Sequence, residues 1–276
     1  MLDAEKVIHL SERQKLDLLK KVADGKAPED ECSRLCECLM RDVSASVRRL
    51  AIEGLWGISD VKYVEPLIAA ARSDEDMNVR ASAASVLGTF VCRGLEEESP
   101  PPSYHCVRDF LLEVIRDEKT PLLVRRSALE AVSFDPDDKV AELIAWGYTH
   151  SDREVNLSAI FAMGRSQCER WVPFLAREMQ SSDRERRLET INAAGEGYLQ
   201  PLTPMLRNLC MSSDKELAIA AIWALAHTGG PGAVEQIELC ATSSDAEISR
   251  NASDAISEYR TVHTRGRDDA EGEEDN

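Results

Sequence analysis

Basic residues, aromatic residues and long apolar runs are all scarce in this sequence, and each scarcity excludes a class of protein. Acidic side chains outnumber basic ones by 50 to 33, which gives a formal net charge of −17 at pH 7. Generic nucleic-acid binding requires a basic face, so none is expected. No apolar run of about 18 residues occurs, so no membrane interaction is expected. Aromatic residues make up only 5% of the chain, which suits packed helices better than a β-sandwich.

The N-terminal residues and the cysteines indicate a reducing compartment. The segment MLDAEKVIHLSERQK has acidic residues where a secretory signal needs a basic start and an apolar block. We therefore expect a cytoplasmic protein whose cysteines are free thiols that pack as small apolar side chains. The eight cysteines lie at positions 32, 36, 38, 92, 106, 168, 210 and 240.

Four nearly identical segments follow one another at a fixed spacing of 31 residues. They read SDREV, SDRER, SDKEL and SDAEI and begin at residues 151, 182, 213 and 244. The fifth residue of each segment anchors an alignment that extends towards the N-terminus. The anchors are Val47, Val79, Val124, Val155, Arg186, Leu217 and Ile248. A regular period between 20 and 50 residues predicts a repeat architecture.

The columns of this alignment predict a pair of helices in each repeat. Positions four, seven and eight after the anchor are small or apolar, and at 100° per residue they share one face of a helix with it. The column at position four reads Ala51, Ala83, Ala128, Ala159, Thr190, Ala221 and Ala252. Another amphipathic stretch precedes each such helix, for example KYVEPLIAAARS. The expected fold is all-α, a right-handed α-solenoid of about seven helix pairs.

The repeated segment matches a capping box. Ser151 and Glu154 have the Ser-x-x-Glu spacing in which the serine side chain accepts a hydrogen bond from a first-turn N–H and the glutamate reaches back. The same spacing recurs in the three later segments. The aspartate between them adds negative charge where the helix dipole favours it. We therefore predict that the motif starts helices and carries no catalysis.

Several second helices share a consensus pattern, seen in DMNVRASAASVLG at 76–88, SASVRRLAIEGLWG at 44–57 and PLLVRRSALEAVS at 121–133. The pattern is similar to the D-x-x-V-R-x-x-A-x-x-A-L-G helix of HEAT-like repeat proteins of the phycobilisome-lyase type. The resemblance covers residues 28–260 and implies a HEAT-like, armadillo-like α-solenoid whose second helices line a concave surface. Structural columns carry the pattern, so it is specific for the fold rather than for a function.

The resemblance brings two enzyme classes into consideration. HEAT-like deoxyhypusine hydroxylase binds a di-iron centre with His-Glu pairs, but none of the five histidines here is followed by Glu, which excludes that activity. A subunit of a phycobilin or chromophore lyase, or a cofactor-maturation factor, remains the alternative. The leading expectation is a non-catalytic protein-binding scaffold, adaptor or assembly factor, without cofactor or metal, whose partner is another protein.

Two charged columns are assigned structural roles between repeats. A cation in the first turn of a helix opposes the helix dipole, so the arginines that follow the anchor should pair with Asp or Glu of a neighbouring repeat. These arginines are Arg48, Arg80, Arg125 and Arg187. The aspartates assigned to the same inter-repeat contacts are Asp76, Asp152, Asp183, Asp214 and Asp245. The alternative is a basic ladder for an acidic segment of a partner.

An apolar stripe on the outer side of the second helices is the predicted partner site. Position six after the anchor faces away from the apolar arc, and position two lies beside it. Large apolar residues occur there in the later repeats, at Leu157, Phe161, Leu188, Ile219 and Trp223, and the basic residues assigned to the site are Arg49 and Arg126. Large exposed apolar patches tend to mark partner sites. The alternative is that curvature buries these side chains between repeats.

The repeats divide the chain into three parts. Residues 1–27 are predicted as N-terminal capping helices, and 28–260 form the solenoid. The step from anchor 79 to anchor 124 is longer than the others and contains three consecutive prolines, so an insertion loop is predicted at 92–106. Residues 261–276 are rich in acids and almost free of apolar residues, which predicts a disordered tail.

Two local motifs are interpreted as structural. Cys32, Cys36 and Cys38 lie close together on a predicted helix, but no fourth ligand stands at a familiar spacing, so metal binding is not expected. Gly195 and Gly197 are predicted to end a helix through a left-handed glycine. The segment HTGGPG at 227–232 is predicted as another turn between helices.

Overall fold

The computed structural model describes residues 7–23 and 29–271, and no strand occurs in these ranges. The chain divides into two compact units, residues 1–158 and 159–276. Within each unit, helices that follow one another in sequence pack against one another. The all-α repeat architecture expected from the period is therefore confirmed within both units.

The first unit contains the N-terminal helix and the earlier repeats. Its helices are α1 (Glu12–Ala23), α2 (Glu29–Leu39), α3 (Ala45–Glu53), α4 (Val64–Ser73), α5 (Met77–Val86), α6 (Gly88–Leu95), α7 (Pro102–Arg116), α8 (Leu122–Val132) and α9 (Asp138–Thr149). A short 3₁₀ turn, Val61–Tyr63, leads into α4. The second helices α3, α5 and α8 pack side by side in chain order.

The second unit contains the later repeats, and helix α10 (Arg153–Arg165) enters it at residue 159. The remaining helices are α11 (Val172–Glu178), α12 (Arg184–Glu196), α13 (Thr203–Leu209), α14 (Lys215–Thr228), α15 (Ala233–Ala241) and α16 (Ala246–Glu271). The 3₁₀ turns Glu169–Trp171 and Gln200–Leu202 precede α11 and α13. The second helices α12, α14 and α16 pack side by side.

The small column four residues after each anchor forms the centre of the core. All seven of its side chains have a relative exposure of 0%. Small residues at this position let neighbouring second helices approach closely, as the alignment predicted. The anchor column is buried as well, except at Arg186 and Ile248. Arg186 is accommodated because its Nε donates to Oε2 of the buried Glu178 at 2.8 Å.

The repeated motif does start helices, but the capping-box prediction named the wrong residue. The aspartate is the N-cap, since Asp183 Oδ1 accepts from the N–H groups of Glu185 and Arg186 at 3.0 and 3.3 Å. Asp152, Asp214 and Asp245 cap their helices in the same way. The residue two before each capping aspartate supports the cap: Ser181, Ser212 and Ser243 each accept from the N–H of the aspartate, and His150 Nδ1 accepts from that of Asp152. A carboxylate at the N-cap also complements the helix dipole.

The basic residue inside the motif forms a ladder between repeats that the sequence analysis did not predict. Arg184 donates to Asp214 Oδ2 at 2.6 Å and also pairs with Glu216 in the next repeat. One repeat later, Lys215 lies 2.8 Å from Asp245 Oδ2 and 3.2 Å from Glu247 Oε2. The hydrogen bonds from Arg184 and Lys215 lower the pKa of Asp214 and of Asp245, respectively. The last motif has Ala246 at the corresponding position.

We expect the Arg184→Glu substitution to lower the thermal unfolding midpoint of the second unit by a few degrees, because it places three acids together. Since these groups are exposed, the difference from the wild-type midpoint should shrink between about 0.1 M and 1 M NaCl. The matched control is Ala246→Glu, which places the same side chain at the same motif position, with a charge change of −1 instead of −2, and should leave the midpoint nearly unchanged. An equal loss in both variants, or a loss that salt does not reduce, would contradict the ladder.

The arginine column binds mainly to backbone carbonyls, which corrects the expected arginine–acid pairing. Only Arg48 forms the predicted pair, with Nε and Nη2 on the two oxygens of Asp74 at 2.8 and 2.7 Å. Arg80 donates to Ala71 O at 3.3 Å and Arg125 to Ile115 O at 2.7 Å. Both carbonyls lie in the last turn of the preceding first helix, where unpaired acceptors and the dipole favour a cation. These carbonyl contacts explain why an arginine is tolerated in the first turn of the second helix, where it opposes the dipole of its own helix.

Arg187 of the arginine column and Asp76 of the aspartate set have different surroundings from those predicted. Nε of Arg187 is buried and has no hydrogen-bond partner. Asp76 caps α5 by accepting from the N–H groups of Asn78 and Val79. The hydrogen bond to Asp74 raises the pKa of Arg48 in the preceding repeat, and the charge of Asp76 acts in the same direction. In the same register as the arginines, Ser249 Oγ donates to Ala241 O at 2.7 Å. Arg80, Arg125 and Ser249 therefore share a donation to the last turn of the preceding first helix, whether or not the side chain is charged.

The predicted insertion loop at 92–106 is mostly helical, which corrects the sequence prediction. α6 continues to Leu95, and α7 begins at Pro102, so the irregular part comprises only residues 96–101. Proline is accepted at the first helical position because its missing N–H would be unpaired there anyway. Gly94 permits the two helices to pack, since a Cβ at this position would lie 2.6 Å from Cβ of Tyr104. Cys92 and Cys106 are free thiols.

The two ends of the chain also differ from prediction. Of the predicted capping segment 1–27, residues 1–6 and 24–27 lie outside the described residues. Helix α1 packs on α3, and Lys15 Nζ of α1 lies 2.6 Å from Oδ2 of the buried Asp42 in the turn before α3. Of the predicted disordered tail, residues 261–271 continue α16, and 272–276 lie outside the described residues. His263 Nε2 lies 3.1 Å from Ala226 O, so the third residue of the predicted tail packs on α14.

Candidate binding surface on the second helices

The apolar stripe predicted for the later repeats lies on the second helices of the second unit. Phe161, Leu188, Ile219 and Trp223 are all half-buried there. Phe161 and Trp223 occupy the same column on α10 and α14, with Asn192 in that column on the intervening α12. Burial between repeats was the alternative, and the structure leaves these side chains partly accessible.

Three residues assigned to the same site lie in the first unit and differ in environment. Leu157 is buried, with a relative exposure of 8%, because residues 155–160 are buried around the whole turn of α10. It is therefore a core residue, and its assignment to an exposed stripe was wrong. Arg49 pairs with Glu53 at 2.9 Å, and Arg126 pairs with Glu154 of the following repeat at 2.9 Å.

Trp223 is positioned by a glycine of the neighbouring helix. A Cβ at Gly195 would lie 2.5 Å from Cζ3 of Trp223 and 3.0 Å from Cα of Ala224, so the indole packs directly on the backbone of α12. One turn further along α14, the imidazole of His227 lies 4.4 Å from the indole, centroid to centroid. His227 Nδ1 also lies 3.0 Å from Trp223 O, which holds the ring against the helix.

Tyr198 extends this group of rings from a strained turn. Its φ angle is +52°, in the left-handed region that few residues other than glycine adopt, and its side chain is 50% exposed. The ring lies 6.1 Å from that of His227. Backbone strain of this kind is more frequent at functional sites than elsewhere. Gln167, one repeat earlier, has the same φ, so the turn is also a feature of the repeat.

The glycines before Tyr198 have a different role from the one predicted. Gly197 has φ −87°, and Gly195 lies within α12, so neither supplies the left-handed turn. Both are required by close approach, since a Cβ at Gly197 would lie 2.2 Å from Gly164 O. The turn at 227–232 does follow the prediction, because Gly229, Gly230 and Gly232 all have positive φ.

A cation and a second ring occupy α10. The guanidinium carbon of Arg165 lies 4.3 Å from the centroid of Phe161, in a cation–π contact worth about 0.5–1 kcal/mol at a partly exposed position. Arg165 and His227 both stand ten residues after an anchor, one turn beyond the column that contains Phe161 and Trp223. We call the partly accessible side chains on this side of the second helices, together with Tyr198 in the turn after α12, the aromatic face. Its members are Phe161, Arg165, Leu188, Tyr198, Ile219, Trp223 and His227.

The side chains of the aromatic face can contact a partner both through apolar surfaces and through hydrogen-bonding groups. Its rings present flat apolar surfaces, and the polar groups at their edges are an imidazole, a phenol and a guanidinium. Tryptophan, tyrosine and arginine are the residue types enriched at the energetic centres of protein interfaces.

Within residues 31–263, whose side chains the structure describes, no group of three or more His, Cys, Asp or Glu is arranged to hold a metal ion. In the described part of the chain, no helix is long and apolar enough to cross a membrane.

Sequence analysis missed Arg165, Tyr198 and His227. The signal for Arg165 and His227 was present, because position ten after the anchor lies on the same side of the helix as positions two and six. No periodic signal identifies Tyr198, since it lies in a turn and is brought to His227 by the packing of α12 on α14.

Comparisons with known proteins agree with this architecture. Residues 33–133 match the family of HEAT repeats. The structure of the complex of CpcE and CpcF of phycocyanin lyase from Nostoc sp. is similar, with a TM-score of 0.51 and 17% identity over 83% of this chain and 94% of that chain. The X-ray structure of YibA from Escherichia coli gives a TM-score of 0.46 at 17% identity, over 90% of this chain and 97% of that chain. Curated protein sequences contain no match.

The packed helix pairs and their regular period define an α-solenoid repeat protein. The match shows HEAT repeats over residues 33–133, and the structural similarity shows the same fold. At 17% identity, the similarity to the lyase complex shows the fold alone.

Proposed function

We propose that this chain is a non-catalytic protein-binding module that holds an apolar segment of a partner protein on its aromatic face. The observation that carries the proposal is Trp223, a half-buried indole that is positioned on Gly195 and flanked by His227. A rigid aromatic side chain in a partly covered position loses little conformational entropy on binding, so it suits an anchor contact.

The occupant inferred for the aromatic face is a segment with apolar side chains rather than a strongly charged one. The face contains Arg165, but acidic residues also stand nearby in the same columns, at Glu196, Asp254 and Glu258. All three acids are exposed, so neither sign of charge dominates the surface. Binding should therefore depend mainly on contact with Phe161 and Trp223 and only weakly on salt.

We expect the double variant Phe161→Ala/Trp223→Ala to weaken partner binding by about tenfold or more, because aromatic anchors account for most of the binding energy at such sites. Peptides selected from a random display library on the immobilised full chain would serve as probes, and their Kd would be measured by calorimetry. The selected peptides should be rich in apolar residues, and their affinity for the wild type should change little between low and high salt.

The matched control is Leu239→Ala. Leu239 is 58% exposed on α15, a first helix, so it is an exposed apolar residue outside the aromatic face. This variant should bind the selected peptides like the wild type, and all variants should show cooperative thermal unfolding. Equal binding by the double variant and the wild type, or an equal loss in Leu239→Ala, would refute the proposed site.

The proposal includes a cytoplasmic location, for which the cysteines are the supporting observation. All eight are free thiols, as expected in a reducing compartment.

A further inference from the structure

Exposed acidic residues occur on both helices that flank Trp223. Helix α14 packs against α12 and α16, and positions six and ten after the anchor contain no arginine or lysine in these three helices. The residues at these positions are Asn192, Glu196, Trp223, His227, Asp254 and Glu258. The three acids among them are exposed. On α10 the same positions contain Phe161 and Arg165, so the base stands beside Phe161 and the acids stand on the helices around Trp223.

Direct contacts define the α12 side of Trp223. A Cβ at Gly195 would lie 2.5 Å from Cζ3 of the indole, and Glu196 is the next residue of the helix. Two residues further on, the ring of Tyr198 lies 6.1 Å from that of His227. The chain from residue 195 to residue 198 therefore runs along the Trp223 and His227 rings, which places the exposed Glu196 next to the indole.

The repeat register defines the α16 side. Trp223, at position six, packs on position nine of the preceding second helix, and Asp254 is the position-six residue of α16. Position nine of α14 is Ala226, whose carbonyl oxygen lies 3.1 Å from Nε2 of His263, so α16 runs past this residue. Because equivalent positions of a repeat array have equivalent neighbours, Asp254 lies against the C-terminal half of α14, and Glu258 follows one turn later.

The carboxylates of Glu196, Asp254 and Glu258 have no ion-pair partner among the described side chains. Arg250, one turn before Asp254 on α16, is exposed and forms no ion pair with it in the described structure. The ladder between repeats differs, because there a basic residue of the preceding repeat already pairs with the capping aspartate. The acids around Trp223 are therefore able to pair with a cation that a ligand supplies.

We propose that the partner segment on the aromatic face carries an arginine beside its apolar anchor, and that this arginine stacks on Trp223 and pairs with the acids around it. The inference rests on the proposed function and adds the charge of the ligand. A cation over an indole is attracted by the ring quadrupole, and carboxylates nearby strengthen the attraction. Arginine fits better than lysine, because its planar guanidinium stacks on a ring while its N–H groups bind carboxylates. One basic side chain adds little salt dependence to a contact that is otherwise apolar.

The first test uses library peptides that bind the wild-type chain but not Phe161→Ala/Trp223→Ala, since such peptides occupy the aromatic face. We expect most of them to contain an arginine within a few residues of a large apolar residue. Replacing that arginine by glutamine should weaken binding by about fivefold or more, and replacing it by lysine should weaken binding less. Calorimetry with the full chain measures each Kd.

The second test reverses the charge on the protein. Asp254→Lys/Glu258→Lys should weaken binding of the arginine peptides by about tenfold, because repulsion replaces attraction beside the indole. The matched control is Glu235→Lys/Glu238→Lys, which makes the same change of charge at two exposed acids of α15, a first helix. This control should bind within about twofold of the wild type. A peptide with glutamate in place of the arginine should bind Asp254→Lys/Glu258→Lys better than it binds the wild type.

The outcomes separate this inference from the proposed function. Peptides that depend on Phe161 and Trp223 but lack a basic residue, or that bind Asp254→Lys/Glu258→Lys like the wild type, would overturn the arginine contact and leave the apolar docking site in place. An equal loss in Glu235→Lys/Glu238→Lys would also overturn it, since the effect would then come from net charge. If no peptide depends on Phe161 and Trp223, the proposed function itself fails, and this inference fails with it.

Discussion

The Asp135→Ala substitution should lower the free energy of unfolding of the first unit by about 3 kcal/mol, since it removes the acceptor of a buried hydrogen-bond network. Asp135 is 4% exposed and accepts from the hydroxyl of Tyr104 at 3.0 Å and from Nε of Arg108. Its other oxygen accepts from the N–H of Asp137 at 2.9 Å. The substitution leaves a buried phenol and a guanidinium without their shared partner.

The same network explains why the segment around residues 92–106 belongs to the repeat array. Tyr104 and Arg108 lie on α7, and Asp135 lies in the turn between α8 and α9, so the carboxylate joins the start of α7 to the end of its own helix pair. Burial and the neighbouring Asp135 raise the pKa of Tyr104 to about 12. The phenol is therefore a neutral donor at any physiological pH.

Urea unfolding, with hydrogen exchange resolved by peptide, would measure the loss in the first unit separately from the second. The matched control is Asp109→Ala on α7, which removes an exposed acid that lies 3.4 Å from Arg108. Its effect should stay within about 0.5 kcal/mol, while Tyr104→Phe, which removes one hydroxyl, should cost about 1 kcal/mol. A loss for Asp135→Ala no larger than that for Asp109→Ala would show that the network contributes nothing.

The Gly164→Ala substitution should destabilise the second unit by about 3 kcal/mol, although alanine is the better helix former by about 1 kcal/mol. A Cβ at this position would lie 2.0 Å from the carbonyl oxygen of Ala193 and 2.7 Å from its Cα. These are backbone atoms of α12, so no side-chain rotation relieves the overlap. The two helices have to move apart, which opens the packing on both sides of the contact.

Gly195→Ala is the informative comparison, because the overlap there involves the ring of Trp223 as well as the backbone of Ala224. When Trp223→Ala is already present, adding Gly195→Ala should cost less stability than it does in the wild type. Adding Gly164→Ala to Trp223→Ala should cost as much as it does in the wild type. Unfolding free energies from a double-mutant cycle would measure both couplings. A stable Gly164→Ala variant would mean that α10 and α12 do not approach as closely as the structure shows.

The repeat and its core were predictable because they depend on local geometry. A helix places every third and fourth residue on one face, so the columns of small residues identify the buried side before any contact is known. The seven helix pairs in the described part of the chain, and the complete burial of the position-four column, follow from this rule. The failures at Leu157 and in the tail arose where burial depends on neighbouring elements rather than on period.

The repeated SDxE segment shows where local inference stopped. Spacing alone allowed either the serine or the aspartate to cap the helix, and the backbone path selected the aspartate. The basic residue between the aspartate and the glutamate had no apparent role, because its partners, such as Asp214 and Glu216 for Arg184, belong to the next repeat. Only the stacking of consecutive repeats brings them within 3 Å.

By itself, the sequence determined the class of fold, the period, the buried columns and the helix pairs, since all of these follow from the hydrophobic periodicity of single helices. The tertiary structure decided the position of Trp223 on Gly195, the ring contact of Tyr198 with His227 and the network around Asp135. These contacts join residues on different helices. Their existence depends on the distance and rotation between packed helices, which no single helix encodes.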